Sequence, residues 1–599
     1  MGAATIIASA PQRSYPPQRW VVAEASPQET ADLASAAHLP MVLAELLVAR
    51  GVTTAQQAQA FLYPDNTHLH DPLTMKGMAA AVERLERAIA TREPILLYGD
   101  YDVDGTTAVV LLKTAIEMLG GVVRFHVPHR ILEGYGLQSS VLESAYAEGV
   151  RLVITVDTGM RAFAEADTAR RLGLDLIVTD HHLPSADEAV PDALAILNPN
   201  QPDCAYPEKS LCGAAIAFKL AQAVLERRDA VRTREKTLPS FLKMAAIATI
   251  ADAVPLRGEN RTIASLGLRA LRQPVGAGLR ALFQVAALDP THKPITSFDV
   301  AFRLAPRINA AGRMDVASEI VELFCTRDAV RANELAAKLE SLNLQRRDAE
   351  AKALAIIEAR LRDDMDLCAD PLLVIHGEGW HRGVIGILAS RLVERTAKPA
   401  IVISVEDGIA YGSGRSVEGF QLLEALETCR ELFTRFGGHA FAVGFAMPAD
   451  GLGDLRRRLN AHASERLAGT HPEHVLKIHA ELPLDRITPV LAGWLRKLEP
   501  LGHGNAEPIF VARNARLISA PRVMKERHIR LELAQESGTP VGRTGLMRCV
   551  GWDWAGRCTA LALSVGSLVD VAYRIRENDH PDYGGIEIEI AGLQPVTAA

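Results

Sequence analysis

The sequence predicts an α/β protein: a doubly wound parallel sheet, a long connecting helix, a smaller α/β domain and a C-terminal β-barrel. Three observations carry that reading. Between residues 94 and 199, five short apolar segments (ILLYG, VVRFHVP, RLVITVD, LDLIVTD and LAILNP) alternate with helical stretches. Nearly continuous apolar character is what parallel strands covered on both faces require. From Asp328 to about Leu361 there is no Pro or Gly, and Leu335, Leu339, Leu342, Ala349, Ala353, Ile357 and Leu361 recur near spacings of three and four. Such a helix spans about 50 Å, enough to separate two lobes, though a coiled-coil contact leaves the same pattern. From about His474 onward, short strands are broken by Gly, Pro and Asn turns, as in a small barrel or sandwich.

Taken in order, residues 1–30 are rich in Pro, Ser and Gln and read as a flexible arm. Glu29 to Leu62 is helical in pattern, with MVLAELLVARG and TTAQQAQAFL each bounded by Thr, Pro or Gly. Ala79 to Ala90 forms an amphipathic helix that feeds the first strand. Residues 210–330 are mostly helical, and there the apolar run KMAAIATIADAVPL carries Asp252 just before the helix-stopping Pro255. After Asp370 strands return as PLLVIHGE, PAIVISVED, IAYGSGRS and AFAVGFAMP, closing a second α/β domain near Leu467.

A chain of 599 residues, 48% hydrophobic and 23% charged, calls for several domains rather than one core. No run of 18 uncharged apolar residues is present, so no membrane span is expected. The first residues lack a basic start followed by an apolar core, so no signal peptide is expected either. Cys204, Cys212, Cys325, Cys368, Cys429, Cys549 and Cys558 are scattered and never spaced CxxC, which points to a reducing cytoplasm without disulfides or structural zinc. The formal net charge of −7 argues weakly against a nucleic-acid partner, because two bound divalent cations would leave about −3.

The chemistry gathers where the strands end. Asp100, Asp102 and Asp104 follow the first strand, Asp157 the third, and Asp180-His181-His182 the fourth. Carboxyl ends of parallel strands are where such sheets place their sites. In extended chain, residues two apart share a face, so the three aspartates can address one point. Their mutual repulsion costs free energy unless cations bind. Asp102, Asp104, Asp157, His181 and Asp252 form an oxygen-rich set with an imidazole and no thiolate, which favours Mg²⁺ or Mn²⁺. Two such ions activate a water and stabilise the leaving oxygen of a phosphoester, and His182 can touch a phosphoryl oxygen or protonate the leaving group.

YGDYDVDG (98–105), TVDTG (155–159), TDHH (179–182), TIADAVPL (249–256), PRINAAGRM (306–314), WHRGVIGILASRL (380–392), GSGRS (412–416) and GGHAFAVGF (437–445) stand in one order. In these motifs the chain resembles the DHH phosphoesterase superfamily, and within it the RecJ family of single-strand-specific 5′-to-3′ exonucleases. The resemblance implies metal ligation by Asp100, Asp102, Asp104, Asp157, His181 and Asp252, with Asp180 and His182 completing the DHH element in catalytic roles. It implies that Ser413 and Arg415, helped by Arg307 and Arg130, hold a terminal 5′-phosphate, with Asn309, Arg313, His381 and His439 near the substrate. Small residues at 412–414 permit close backbone approach, and an arginine grips phosphate bidentately. His381 and His439 are equally well read as structural histidines in Gly-flanked turns.

The domains implied are an arm (1–30), a DHH domain with a helical N-terminal extension (31–330), the connecting helix (331–362), a DHH-associated domain (363–468) and an oligonucleotide-binding (OB) barrel (469–599). In the barrel, LGHGN at 501–505 and the basic stretch from Arg516 to Arg530, with Arg522, Lys525 and Arg527, are candidates for following a strand's backbone. The resemblance further implies processive removal of mononucleotides from single-stranded DNA with two Mn²⁺ or Mg²⁺ ions. It places the protein in recombination and repair, in the cytoplasm, with single-strand-binding protein and repair factors as partners. Two other readings stay open: a phosphoesterase for short substrates such as dinucleotides, and a catalytically silent DNA-binding scaffold.

Overall fold

The computed structural model describes residues 18–130, 132–184, 189–273, 276–314, 317–468, 474–535, 545–578 and 584–596. The chain packs as two units. The larger comprises residues 64–472 and 500–505; the smaller comprises residues 1–63, 473–499 and 506–599. Helices Pro27–Ala37, Met41–Val48 and Ala55–Leu62, read from sequence as an extension of the first domain, cluster in the smaller unit.

The larger unit is built on strands β1 (Pro94–Tyr98), β2 (Val122–His126), β3 (Leu152–Val156), β4 (Asp175–Thr179) and β5 (Ala195–Leu197). They lie in the order β2-β1-β3-β4-β5, parallel throughout. Both faces are covered. Ile95 and Leu97 of β1 pack in a core shared with α1 (Val103–Met118), α3 (Gly213–Arg232) and α4 (Leu238–Ala251). Leu96 and Tyr98 point to the opposite core, shared with the helix Ser139–Ala147 and α2 (Phe163–Leu172). Period-two alternation with both faces apolar is why these strands read as unbroken hydrophobic runs. Deep in the first core, Lys219 Nζ lies 2.5 Å from Glu259, both side chains being 0% exposed. Glu259 also accepts from Tyr206 Oη at 2.6 Å and His70 N at 2.9 Å.

A π-helical turn, Val300–Leu304, leads into α5 (Ala305–Met314). The 35-residue helix α6 (Ala329–Asp363) follows, started by Asp328, whose side chain accepts from Val330 N and Arg331 N. One half of α6 gives Ala332, Leu335, Ala336, Leu339 and Leu342 to the first lobe's core. Its other half gives Ala353, Leu354 and Ile357 to the second lobe. The second lobe has strands β6 (Leu373–Glu378), β7 (Ala400–Glu406), β8 (Ile409–Arg415), β9 (Arg435–Gly438) and β10 (Ala442–Pro448), in the order β9-β10-β8-β7-β6. Only β6 and β7 run parallel. Helix α7 (Arg382–Thr396) packs on β7 and β8.

In the smaller unit, strands Phe510–Leu517, Leu568–Asn578, Gly585–Pro595, Met547–Gly551 and His528–Ala534 pair in succession. Pairing of Leu517 with Leu533 closes them into a barrel. Gln18–Val22, inside the stretch read as an arm, is a strand in parallel register with His474–Ile478; the rest of the arm up to residue 17 lies outside the described residues. LGHGN does not join the barrel. Leu256 N donates to His503 O at 2.8 Å and Arg257 Nε to Gly504 O at 2.7 Å, so this segment packs within the larger unit. Among the described residues no single helix is long and apolar enough to cross a membrane.

Candidate metal centre and phosphate pocket

The acidic motif does not stay extended as the sequence implied. Asp102 Oδ1 accepts from Gly105 N at 3.0 Å, capping α1, so the helix begins at Val103 and carries Asp104 in its first turn. The helical turn sends Asp104 inward, where Gly213 N and Ala214 N at the start of α3 donate to its two oxygens at 2.6 and 2.8 Å. A helix N-terminus favours the anion. Asp157, at the end of β3, adopts φ +60°, a left-handed conformation rare outside glycine. Residue 213 must be small: a Cβ there would stand 2.6 Å from Asp157 Cβ.

These turns converge. His181 Nε2 lies 3.2 Å from Asp157 Oδ1 and 3.9 Å from Asp104 Oδ2, and its Nδ1 is 3.9 Å from Asp252 Oδ2. Ligand atoms fall within 4.8 Å of one another in three overlapping groups: Asp100, Asp102 and Asp157; Asp104, His181 and Asp252; Asp157, His181 and His182. Burial, followed by the charges of neighbouring aspartates, raises the carboxyls of Asp100, Asp102 and Asp157 above their ordinary range and pushes Asp252 up to about 9. Asp100 Oδ1 is buried without a hydrogen-bond partner, and Asp157 Oδ1 is buried with only the His181 ring beside it. Burial holds His181 below its usual value, leaving a neutral imidazole with one ring nitrogen free to ligate. Cys212 sits nearby, but burial and Asp104 raise its thiol well above the usual range, so it adds no thiolate.

Asp180 faces away from this cluster. Its oxygens accept from Met160 N at 2.8 Å, His181 N at 2.8 Å and His182 N at 3.1 Å, and one lies 2.7 Å from His182 Nδ1. Burial alone would lower His182, but its bond to Asp180 and the surrounding carboxylates outweigh burial and raise it. Asp180 is held low by the same bond despite its own burial. Asn198 Nδ2 and Asn200 Nδ2 donate to the carbonyls of His182 and His181 at 2.8 and 3.0 Å, fixing the pair's backbone.

Arginines border the carboxylates. Arg130 lies over the Tyr101 ring, 4.9 Å from its centroid, and lines a 190 Å³ cavity with Asp102, Asp104, Asp252, Asn309 and Arg313. Asn309 Oδ1 also accepts from Val103 N at 3.1 Å. Arg415 donates to Ser413 Oγ at 3.3 Å and Gly414 O at 2.8 Å, and Arg313 to Gly383 O at 3.1 Å. Burial and the neighbouring guanidiniums lower Arg313 to about 10 and push Arg415 down as well. Cations crowded this way make an anion site. Arg307 is turned elsewhere, 2.5 Å from Glu340 on α6 and donating to Arg303 O at 2.6 Å. His381 caps α7, accepting from Gly383 N at 3.0 Å. His439 lines a 770 Å³ cavity with His182 and Tyr135.

Sequence reasoning passed over Tyr135, Gly213 and the two asparagines. Tyr135 Oη stands 3.4 Å from His182 Nδ1. A lone tyrosine between two glycines carries little signal. The LNPN at 197–200, directly after a strand, was a readable cue for Asn198 and Asn200.

Three family models match in chain order: the DHH family N-terminal domain over residues 94–249, the DHHA1 domain over 369–465 and the RecJ OB domain over 478–591. The single-stranded-DNA-specific exonuclease RecJ of Bacillus subtilis is 38% identical over 540 residues, spanning 89% of this chain and 66% of its own length, just under two thirds. Its namesake in Dickeya dadantii is 37% identical over 87% of this chain and 91% of its own length, and that of Escherichia coli 35% over 95% and 98%. The chain belongs to the RecJ family. A crystal structure of RecJ from Thermus thermophilus with Mn²⁺ superposes at a TM-score of 0.81, with 29% identity over 97% of this chain and 80% of that one. The Mg²⁺ complex superposes at 0.75, with 28% identity over 97% and 79%. RecJ structures thus exist with Mn²⁺ and with Mg²⁺, the kinds of ion that the donor set favours, and this family member's buried carboxylate cluster fits such a cation.

Proposed function

We propose that the chain is a metal-dependent exonuclease that removes mononucleotides processively from the 5′ end of single-stranded DNA. The observation that carries the reading is the meeting of five aspartates and His181 in one buried pocket beside Arg130, Arg313 and Arg415. Asp100, Asp102, Asp104, Asp157, His181 and Asp252 would hold two Mn²⁺ or Mg²⁺ ions. When bound, such ions supply an activated water and offset charge on the leaving oxygen.

The chain's own groups do the rest. Asp180 fixes the ring of His182 through Nδ1, so Nε2 faces the cavity and gives a proton to the departing 3′ oxygen. Arg415, with Ser413 and with Arg313 and Arg130 nearby, receives the terminal 5′-phosphate and sets polarity. Arg307 serves that pocket indirectly, by anchoring α5 to α6. Asn309 keeps the turn at Val103 in place, and His439 borders the strand's path opposite His182.

The substrate and the RecJ family support further readings: action in the cytoplasm, in recombination and repair, with single-strand-binding protein and repair factors as partners. The test uses 5′-labelled single-stranded DNA, duplex DNA and a dinucleotide, each with Mn²⁺ or EDTA. Mononucleotides are expected from the single strand only, abolished by EDTA and by Asp157→Ala. Release from the 3′ end, or preference for the dinucleotide, overturns the proposal.

A further inference from the structure

We propose that Phe302, backed by Phe298, is a platform on which a base of the single strand stacks next to the arginine pocket. The inference rests on the reading of single-stranded DNA as substrate. Phe298 and Phe302 lie four residues apart at the π-helical turn before α5, so they share a face. Their rings stand 4.7 Å apart at 35°, and the two residues remain 62% and 67% exposed. Phenylalanines packed on each other yet open to solvent have neither a core to fill nor a polar atom to satisfy.

What lies beside them selects the occupant. Phe302 lines a 480 Å³ cavity together with Arg313, Arg391, Arg395 and Arg415 and a single carboxylate, Glu394. Arg391 and Arg395 are neutralised by Glu350 and Glu358 on α6. Arg313 and Arg415 instead donate to backbone carbonyls and a hydroxyl. An aromatic ring and charge-bearing guanidiniums lining one cavity match a nucleotide, with its flat base and its phosphate. An apolar peptide would leave the arginines unused, and a free phosphate would leave the rings bare. The π turn also accounts for the placement. Arg303, on that turn, bonds Asp299 at 3.1 Å and the carbonyls of Ala286 and Ala287 at 2.7 Å, holding the segment so that its aromatic face looks outward.

Phe302→Ala, Phe302→Trp and Phe298→Ala test this on 5′-phosphorylated oligo-dT and on a matching strand of abasic residues. KM and kcat are measured with Mn²⁺, and binding by fluorescence anisotropy in EDTA. Loss of one stacked base is expected to weaken Phe302→Ala on oligo-dT about 5- to 100-fold in KM and Kd. Values for the abasic strand stay unchanged, kcat moves less than about twofold, and Phe302→Trp restores affinity. Phe298→Ala gives a smaller loss of the same kind. Equal weakening on both strands, no weakening on oligo-dT, or a change in sedimentation that reveals a protein contact at these rings each overturns the platform. If the wild-type chain fails to hydrolyse oligo-dT, it is the exonuclease reading that falls, and anisotropy still decides the platform.

Discussion

His182 Nδ1 and Asp180 Oδ1 stand 2.7 Å apart, and the same carboxylate gathers three backbone N–H groups. Asp180 therefore orients His182 without joining the ligand cluster. Asp180→Asn should lower kcat about 10²- to 10⁴-fold, the usual span for losing a positioned proton donor. The Mn²⁺ concentration for half-maximal activity should stay near the wild-type value. A large rise in that concentration would mean that Asp180 shapes the ion site instead.

The crowded carboxyls make a pH prediction for the metal-free chain. Burial first, then mutual repulsion, raises Asp100, Asp102 and Asp157, and takes Asp252 to about 9. Between the ordinary carboxylate range and those raised values the folded state holds more protons than the unfolded state, so stability falls as pH rises. Tm in EDTA should decline from about pH 5 to about pH 9, and Mn²⁺ should reverse the trend by binding the folded form. Melting curves across that range decide it, a flat metal-free profile counting against the assignment.

Asp157→Asn separates charge from shape. Asparagine tolerates φ +60° as well as aspartate does. At about pH 9 and above, where the unfolded chain favours the ionised carboxyl most, replacing it by a neutral amide should raise Tm in EDTA, and at any pH it should abolish the Mn²⁺-induced shift. A variant that melts lower in EDTA would show that Asp157 is held for packing.

Arg307 and Arg415, given the same phosphate-holding role by the sequence motifs, should part company. Arg415→Ala is expected to erase the preference for a 5′-phosphate over a 5′-hydroxyl and to reduce the salt dependence of binding by about one charge. Arg307→Ala strands Glu340, with a loss of roughly 1.5–3 kcal/mol in stability and no selective change in 5′-phosphate preference. Urea melts and paired 5′-end substrates distinguish the two.

Lys219→Met strips Glu259 of its cation in a fully buried site. The expected loss is about 3–5 kcal/mol, read by denaturant unfolding. Near-wild-type stability would mean that Tyr206 and the His70 amide suffice for that carboxylate.

Asp157, Asp180, His181 and His182 were legible because each directly follows an apolar run, and parallel strands bring such ends to one edge. Helix α6 was legible because thirty-odd residues without Pro or Gly have few alternatives. Arg307 was misleading. Its partner Glu340 lies 33 residues away on another helix, and no local pattern marks the pair. The parallel pairing of Gln18–Val22 with His474–Ile478 was equally hidden, since nothing near either strand specifies a partner so distant in sequence. The first turn of α1 was misjudged because its cap, Asp102, is also one of the acidic triplet.

Helix α6 gives Glu340 to the first lobe and Glu350 to the second, where it binds Arg391, about 15 Å further along the same rod. The gap between lobes is thereby gauged by a rigid bar rather than by a swivel. On the proposed reading, a guest broader than the space between the lobes would have to bow 35 residues of continuous helix to enter, so the rod itself would set a calibre before any side chain inspects the strand.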